Sequence, residues 1–152
     1  MTPSKNLYDK LKLWEGCVLH SYQDRAGVWT IGVGSTIYQN GKHVGKGETI
    51  TQQQADDLLA WEVSNKADAV NKLLGKTIVT QNQFDALVSF AFNVGIGGLT
   101  NSTLLKRVKA NPNDPFINDA FLMWDKIHKD GQLVESEGLK YRRQNEIKLY
   151  FS

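Results

Sequence analysis

The residues best suited to chemistry lie in one segment near the N-terminus, between Glu15 and Gly34. Glu15 is predicted to end a helix, Asp24 follows where the chain enters a sheet, and Thr30 falls on the next strand. Cleavage of a glycosidic bond needs a proton on the leaving oxygen and a nucleophile on the opposite face of the sugar. Two carboxyl groups separated by roughly 6.5–9.5 Å supply both functions and leave room for a water molecule. The segment therefore predicts a hydrolytic site with paired carboxyl groups.

The two carboxyl groups are predicted to have different environments. A helix C-terminus carries partial negative charge, which favours the protonated form of Glu15. Asp24 lies in a turn with free backbone amides, which favour the ionised form. We therefore expect Glu15 to be the general acid, and the hydroxyl of Thr30 to help Asp24 hold a water molecule.

The elements that must position these residues are a helix and a small sheet. Apolar spacing predicts a helix over residues 1–15, capped by Thr2, with Pro3 at its first position and Gly16 at its end. Glycines, β-branched residues and aromatic residues alternate over residues 16–47, which predicts a small twisted sheet. The dipeptide Asn40-Gly41 predicts a hairpin within it.

The rest of the chain is predicted to be helical. Two capping boxes, Thr51 with Gln54 and Thr80 with Gln83, each open a run of apolar periodicity. The first run is expected to break near Ser64-Asn65, and the second is apolar on nearly every face, so it should be buried all round. Three later helices are predicted, one capped by Asn101, one from Asp114-Pro115 to Trp124, and one over residues 139–151.

These patterns predict an α+β fold in a single domain over residues 1–152. We expect a small antiparallel β lobe over about 16–50 and a larger, mostly helical lobe made of 1–15 and 51–152. The length of 152 residues suits one domain of this kind.

The spacing of Glu15, Asp24 and Thr30, followed by Gly32 and Gly34, closely resembles that of the phage-type lysozymes (endolysins) of glycoside hydrolase family 24. Three motifs in the helical part are similar to motifs of the same family: Phe92-Asn93-Val94-Gly95-Ile96-Gly97, Asn101-Ser102-Thr103-Leu104-Leu105 and Gly138-Leu139-Lys140-Tyr141-Arg142-Arg143. One position differs, because Ser35 stands where many members have histidine.

The resemblance implies a lysozyme-like fold with the active site in the cleft between the two lobes. It implies hydrolysis, with inversion, of the β-1,4 bond between N-acetylmuramic acid and N-acetylglucosamine in peptidoglycan. Glu15 would then be the proton donor, and Asp24 and Thr30 would position the attacking water. For host-cell lysis, an enzyme without an export signal would accumulate in the host cytoplasm and act on the wall in the periplasm after release by a holin-like protein.

The same resemblance implies further residues around the substrate. Phe92, Asn93 and Ser102 match positions that line the cleft in the family, and Asn118 is a further candidate of this kind. Phe92 also fits a core position, and Asn93 and Ser102 also fit helix ends that satisfy backbone groups. Arg142 is expected near the catalytic glutamate as a supporting residue.

Composition excludes several other classes of protein. Lys and Arg total 18 against 16 Asp and Glu, and the net charge of +2 is far below that of a nucleic-acid-binding domain. No apolar run approaches the length of a membrane span, and the first residues lack the apolar stretch of a signal peptide. We therefore expect a monomer without stable membrane insertion.

No cofactor or metal is expected. The histidines have no metal-ligand spacing, and a single cysteine, Cys17, forms neither an intrachain disulfide nor a zinc cage. Cys17 is predicted to be a buried, inert thiol, with a reactive thiol in the cleft as the alternative.

Two other functions fit the sequence less well. A lytic transglycosylase needs one glutamate and no water, so Asp24 and Thr30 argue against it. A non-catalytic glycan-binding module of the same fold would have lost a catalytic residue, and Glu15, Asp24 and Thr30 are all present.

Overall fold

The structure is a computed structural model that describes residues 1–152. Its helices are α1 (Lys5–Glu15), α2 (Gln52–Leu74), α3 (Gln81–Val94), α4 (Ile96–Thr100), α5 (Thr103–Ala110), α6 (Ile117–Leu122) and α7 (Glu137–Tyr150). Its strands are β1 (Val18–Gln23), β2 (Trp29–Gly32), β3 (Lys126–Lys129) and β4 (Gln132–Glu135), and they form two antiparallel pairs, β1–β2 and β3–β4. The predicted α+β class is confirmed. None of the helices combines the length and apolar character that a membrane span requires.

The chain divides into two compact units, which we call the β unit (Ser4–Asn65) and the helical unit (Met1–Pro3 with Lys66–Ser152). The prediction had assigned α1 and the start of α2 to the helical lobe. In the structure both belong to the β unit, because Lys12 of α1 pairs with Asp56 of α2 at 2.9 Å and Glu15 lies against Gly34.

The core of the β unit forms around residues from the sheet, the following loop and α2. Ile31, Val44 and Leu58 are buried together, and four partly buried residues pack against them, namely Trp29, Tyr38, Ile50 and Trp61. The predicted turn at Asn40-Gly41 is present, with Gly41 at a φ of 83°. The flanking chain forms only a single antiparallel bridge, between Ile37 and His43.

The N-terminal helix begins later than predicted. Ser4, not Thr2, is the N-cap, and its Oγ accepts a hydrogen bond from the backbone N–H of Leu7 at 3.3 Å. The first residues are instead held within the helical unit, since the Thr2 carbonyl accepts from the Gln81 side chain at 2.9 Å. Gly16 ends the helix with a φ of 73°, as predicted.

Helix α2 is continuous, so the predicted break at Ser64-Asn65 is wrong. The capping box at its start is present, with reciprocal bonds between Thr51 and Gln54 at 2.8 and 3.1 Å. Ser64 and Asn65 are exposed and have modest helix propensity. The flanking stripe of Val63, Ala67, Val70 and Leu74 is buried, and burial of such a stripe outweighs weak local propensity.

Helix α3 is the centre of the helical unit. It is capped by the predicted box at Thr80 and Gln83, and every residue from Gln83 to Ala91 is buried, as the sequence predicted. Helix α7 packs along it. An edge-to-face aromatic cluster fills the space beside both helices, with ring centroids 5.6–5.8 Å apart, and consists of Phe90, Phe121, Trp124 and Tyr150.

The later helices differ from the prediction at their starts. The short helix α4 follows Gly95, and Ser102, not Asn101, caps α5. Helix α6 begins at Ile117. Just before it, the Asp114 side chain accepts a hydrogen bond from the N–H of Phe116 at 2.9 Å. Ser136 caps α7.

The β3–β4 hairpin was not predicted. Its turn is Asp130-Gly131, with φ values of 51° and 76°. Two central residues with positive φ are typical of a type I′ hairpin turn, for which Asp-Gly is a favoured sequence. The signal was therefore present in the sequence, between two short strands.

Candidate active site

Glu15 is the last residue of α1. The backbone N–H of Gly16 closes the helix on the Lys12 carbonyl at 2.9 Å, so the Glu15 side chain leaves from a fixed helix end. Glu15 is half-buried. The carboxyl group is thus held by a regular element and remains partly accessible.

Gly34 provides the surface against which Glu15 lies. A Cβ placed on Gly34 would be 3.5 Å from Oε2 of Glu15 and 4.0 Å from its Cδ, and Gly34 has a φ of 77°. Gly32 has another neighbour, because its Cβ would lie 3.6 Å from Cδ1 of Ile50. A methyl group at Gly34 would therefore contact the Glu15 carboxyl group, whereas one at Gly32 would contact the apolar side chain of Ile50.

Asp24 is fixed through one of its two carboxylate oxygens. Oδ1 accepts hydrogen bonds from the backbone N–H groups of Ala26 and Val28, both at 2.9 Å. The Asp24 backbone closes the same turn, since its N–H donates to the Val28 carbonyl and its carbonyl accepts from Gly27. Oδ2 has no protein partner, and the residue is exposed. The carboxylate is rigid and has one oxygen available to solvent.

Thr30 lies on β2 and is buried. Its hydroxyl donates to the Val28 carbonyl at 2.9 Å. A hydroxyl has one proton, and this one is used within the protein, so Oγ1 of Thr30 can only accept a hydrogen bond from a further molecule. Asp24 and Thr30 are therefore connected through Val28, which contacts both.

Tyr22 belongs to the same group of residues, although the sequence analysis did not identify it. It is directly opposite Thr30 in the β1–β2 register, which places the two side chains on the same face. Burial raises the pKa of Tyr22, and the charges of Glu15 and Asp24 raise it further. The phenol thus lies within electrostatic reach of both carboxyl groups. The available signal was its position in the strand that leads to Asp24.

Ser35 is buried, and its hydroxyl has no hydrogen-bond partner. Its backbone pairs with Ile31 in a two-residue bridge next to Gly34. The residue at this position is therefore part of the turn that carries Gly34.

The prediction that Cys17 is a buried thiol is wrong. Cys17 is exposed, because it follows Gly16 at the point where the chain leaves α1, and its nearest polar contact is Nε2 of Gln52 at 3.7 Å. Nowhere does the fold assemble three His, Cys, Asp or Glu side chains in a group that could hold a metal ion.

The predicted substrate-binding residues all lie in the helical unit. Asn93 is exposed near the end of α3, where its Oδ1 accepts from Nη2 of Arg143 at 2.5 Å. Phe92 and Asn118 are half-buried, and Asn118 donates to Asp119 at 3.3 Å.

Ser102 is buried and caps α5. Its hydroxyl accepts from the N–H of Leu105 at 3.0 Å and donates to the Leu99 carbonyl at 2.7 Å, so the structural role that the sequence left open is present. Ser102 also borders a cavity of about 480 Å³, whose other walls include Trp124, Lys126 and Leu133.

Arg142 and Arg143 form a buried ionic cluster with Glu146. Nε of Arg143 lies 2.7 Å from Oε1 of Glu146, and Nε of Arg142 lies 3.4 Å from Oε2. Ser89 of α3 donates to the same carboxylate at 2.6 Å. Burial raises the pKa of Glu146, and the two guanidinium groups act in the opposite direction. Glu146 was not predicted as a partner, although its i, i+3 and i, i+4 spacing from the two arginines was visible in the sequence.

The structure places a helix-end glutamate, a turn aspartate and a strand threonine on an α+β fold, which is the arrangement expected from the resemblance to lysozymes. Comparison with known proteins agrees. A sequence model of the phage lysozyme family matches residues 12–146, and the chain belongs to that family. It is a peptidoglycan hydrolase of the lysozyme type.

Relatives match over the whole chain. The endolysin of Salmonella phage P22 is 37% identical over 152 residues, covering 100% of this chain and 99% of the relative. The structure of an endolysin from Escherichia coli O157:H7 phage FAHEc1 superimposes with a TM-score of 0.93 at 40% identity, covering 100% of this chain and 94% of the other. The muramidase domain of SpmX from Asticaccaulis excentricus gives a TM-score of 0.84 at 33% identity, covering 98% and 97%.

Proposed function

We propose that this protein hydrolyses the β-1,4 bond between N-acetylmuramic acid and N-acetylglucosamine with inversion of configuration. One observation carries the proposal: Asp24 is fixed through Oδ1 by two backbone amides and retains a free Oδ2, in a turn that also holds the Thr30 hydroxyl. Such a carboxylate suits a general base that activates water.

Glu15 is the general acid in this mechanism. It ends α1 and lies against the bare backbone of Gly34. A general acid must hold a proton until the bond breaks. Glu15 gives that proton to the leaving glycosidic oxygen.

The attacking water is held by its two hydrogens. One is donated to Oγ1 of Thr30, which has only acceptor capacity left, and the other to Oδ2 of Asp24. A lone pair of the water oxygen attacks the anomeric carbon while the bond to the leaving oxygen breaks. Asp24 takes the proton of the water and Glu15 loses its own, so the products are a hemiacetal and an alcohol. Solvent exchange then restores both carboxyl groups.

Product analysis tests this mechanism. Mass spectra of digested peptidoglycan should show reducing ends, and proton NMR early in the reaction should show the α anomer first. Products with 1,6-anhydro ends would instead establish the lytic transglycosylase alternative. Binding of glycan without any new ends would establish the non-catalytic alternative.

The substrate-binding roles of Phe92, Asn93, Ser102 and Asn118, and the supporting role of Arg142, remain part of this proposal. Their exposure differs: Asn93 is exposed, Phe92 and Asn118 are half-buried, and Ser102 is buried as a helix cap. Asn93 is therefore the residue of this set best placed to contact a ligand directly. The helix-capping role of Ser102 accounts for that residue without a ligand contact.

We further propose that the enzyme works as a monomer inside a phage-infected bacterium and reaches the wall after a separate holin-like protein permeabilises the membrane. The similarity to phage endolysins supports this setting. Expression in Escherichia coli should leave cells intact until chloroform is added, and should then cause rapid lysis. Lysis without chloroform would contradict the need for a separate protein.

A further inference from the structure

Arg143 is held in one orientation by three contacts. It has no exposed surface, its Nε lies 2.7 Å from Oε1 of Glu146, and its guanidinium carbon lies 4.9 Å from the centre of the Phe90 ring. The third contact is the hydrogen bond from Nη2 to Oδ1 of Asn93. A buried guanidinium with an ionic partner and an aromatic partner has little freedom to turn.

This orientation determines which way the Asn93 amide faces. A guanidinium has hydrogen-bond donors only, so it can bind the oxygen of the Asn93 amide but not its nitrogen. The Asn93 side chain has no other hydrogen bond, and the residue is exposed. Nδ2 of Asn93 is therefore left with two unused donors toward solvent.

We propose that Arg143 is a positioning residue that presents the Asn93 amide as a donor to an amide carbonyl of peptidoglycan. The carbonyl belongs either to the acetamido group of a sugar or to the peptide stem. The inference rests on the proposed function, and it adds a residue, a direction of hydrogen bonding and a ligand chemistry to it. A freely rotating asparagine would offer donor and acceptor alike, whereas this one offers donors only.

The first experiment replaces the donors and keeps the acceptor. Asn93→Asp retains an oxygen for Arg143 and should keep or raise the thermal midpoint, because the new bond joins two charges. It has no N–H to donate. We expect KM for glycan strands to rise about tenfold, with kcat within about twofold, since the loss is that of one hydrogen bond in binding. Asn93→Ala should show a similar rise in KM.

The matched control is Asn111→Asp. Asn111 is also exposed, and its Oδ1 likewise accepts one hydrogen bond, from the N–H of Asn113 at 3.0 Å. The substitution adds the same negative charge to the helical unit. It therefore distinguishes the loss of the Asn93 donors from general repulsion between the added charge and an anionic cell wall. We expect an unchanged KM for this variant.

Two substrates distinguish the sources of the carbonyl. If the acetamido group is the ligand, the effect of Asn93→Asp persists on glycan strands stripped of peptide and vanishes on N-deacetylated strands. If the peptide stem is the ligand, the effect vanishes on the stripped strands. An unchanged KM for folded Asn93→Asp on intact peptidoglycan would overturn the proposal, as would a fall in kcat alone.

Arg143→Lys tests the positioning role. Lysine keeps the positive charge beside Glu146 and loses the planar fork that reaches Asn93. We expect its KM to rise, but by less than that of Asn93→Ala, because a freely rotating asparagine still offers its donors part of the time. The double variant should be no worse than Asn93→Ala alone. A folded Arg143→Lys variant with parental KM would contradict positioning, and if lysine prevents folding, Asn93→Asp decides alone. Calorimetry measures the binding of stripped glycan strands and needs no turnover, so it tests the role of Asn93 separately. If the parent released no reducing ends, only the proposed function would fail.

Discussion

The Thr30 hydroxyl stabilises the turn and, in the proposed mechanism, also binds the attacking water. Its proton goes to the Val28 carbonyl, which also accepts from the Asp24 backbone. Thr30→Val keeps the β-branched shape and removes the acceptor for the water. We expect turnover to fall at least about tenfold and stability to fall by about 0.5–1.5 kcal/mol, the usual value of one hydrogen bond.

The control for this change is Thr30→Ser, which retains a hydroxyl and should keep most of the turnover. Cell-wall turbidity assays and thermal melts measure both effects. Parental turnover in Thr30→Val would remove the hydroxyl from the mechanism and leave a site with two carboxyl groups only.

Substitution of Gly34 by alanine tests the contact between this residue and Glu15. An alanine there would have a strained positive φ and a Cβ 3.5 Å from Oε2 of Glu15. Gly41 has a similar φ of 83° with nothing near its Cβ position. Both substitutions should cost about 1–2 kcal/mol of stability from backbone strain.

Only Gly34→Ala should also reduce activity beyond the loss explained by unfolding, because only its methyl group would contact the Glu15 carboxyl group. Measuring kcat well below the melting transition separates the two effects. Equal activities for Gly34→Ala and Gly41→Ala would show that the close approach of Gly34 to Glu15 has no role in catalysis.

The residues of the site differ in how well the sequence revealed them. Glu15, Asp24 and Thr30 could be proposed from the sequence because they lie close together in it and their side chains suit distinct chemical roles. Tyr22 was missed because its relation to them depends on strand register, in which it pairs with Thr30. Glu146 was missed because a buried glutamate cannot be told from a solvated one without the helix that covers it.

At the scale of elements, Glu48 connects the parts of the β unit. Oε1 accepts from Tyr38 at 2.8 Å and from the N–H of Gly45 at 2.9 Å, and its backbone bonds to Ser21. These donors lower the pKa of Glu48, with the Gly45 amide contributing most. Burial, together with the hydrogen bond to Glu48, raises the pKa of Tyr38 to about 12.

The lowered pKa of Glu48 sets the sign of a pH effect. A carboxylate whose pKa is lower in the folded state contributes stability above its unfolded value, about 4.3, and loses that contribution as pH falls through the folded value. Glu48→Gln should therefore be less stable than the parent at pH 7. The difference in thermal midpoint should shrink steadily below about pH 4. A difference that stays constant from pH 7 to pH 2 would contradict the role of the charge.

Helices with strong end signals were predicted best. Thr51 and Thr80 both open helices at the predicted places, because a capping box is a local interaction. The continuity of α2 through Ser64 could not be predicted, since it depends on burial of the neighbouring stripe. The β3–β4 hairpin was missed because its strands have four residues each and only the Asp130-Gly131 turn marks them.

At the scale of the whole molecule, family membership rests on motifs spread from Glu15 to Arg143 and on a match over residues 12–146. No single motif defines the chemistry. The β unit contains Glu15, Asp24 and Thr30, and the helical unit contains Asn93 and the ionic cluster that orients it. The proposed chemical step therefore involves residues of the β unit, and the proposed recognition contact involves a residue of the helical unit.

The release of reducing ends from peptidoglycan by Glu15→Gln tests the central claim most directly. Glutamine has almost the same size as glutamate, so the contact with Gly34 and the end of α1 should persist. It has no acidic proton for the leaving oxygen, and loss of general-acid catalysis typically costs 10²–10⁴-fold in rate, about the effect we expect here or more. The thermal midpoint should stay close to that of the parent, because the amide keeps nearly the same size and can still form hydrogen bonds. The surface variant Glu137→Gln, at the exposed start of α7, should keep full activity. Retention of more than about a tenth of the parental rate by folded Glu15→Gln would mean that another residue donates the proton and would contradict the account.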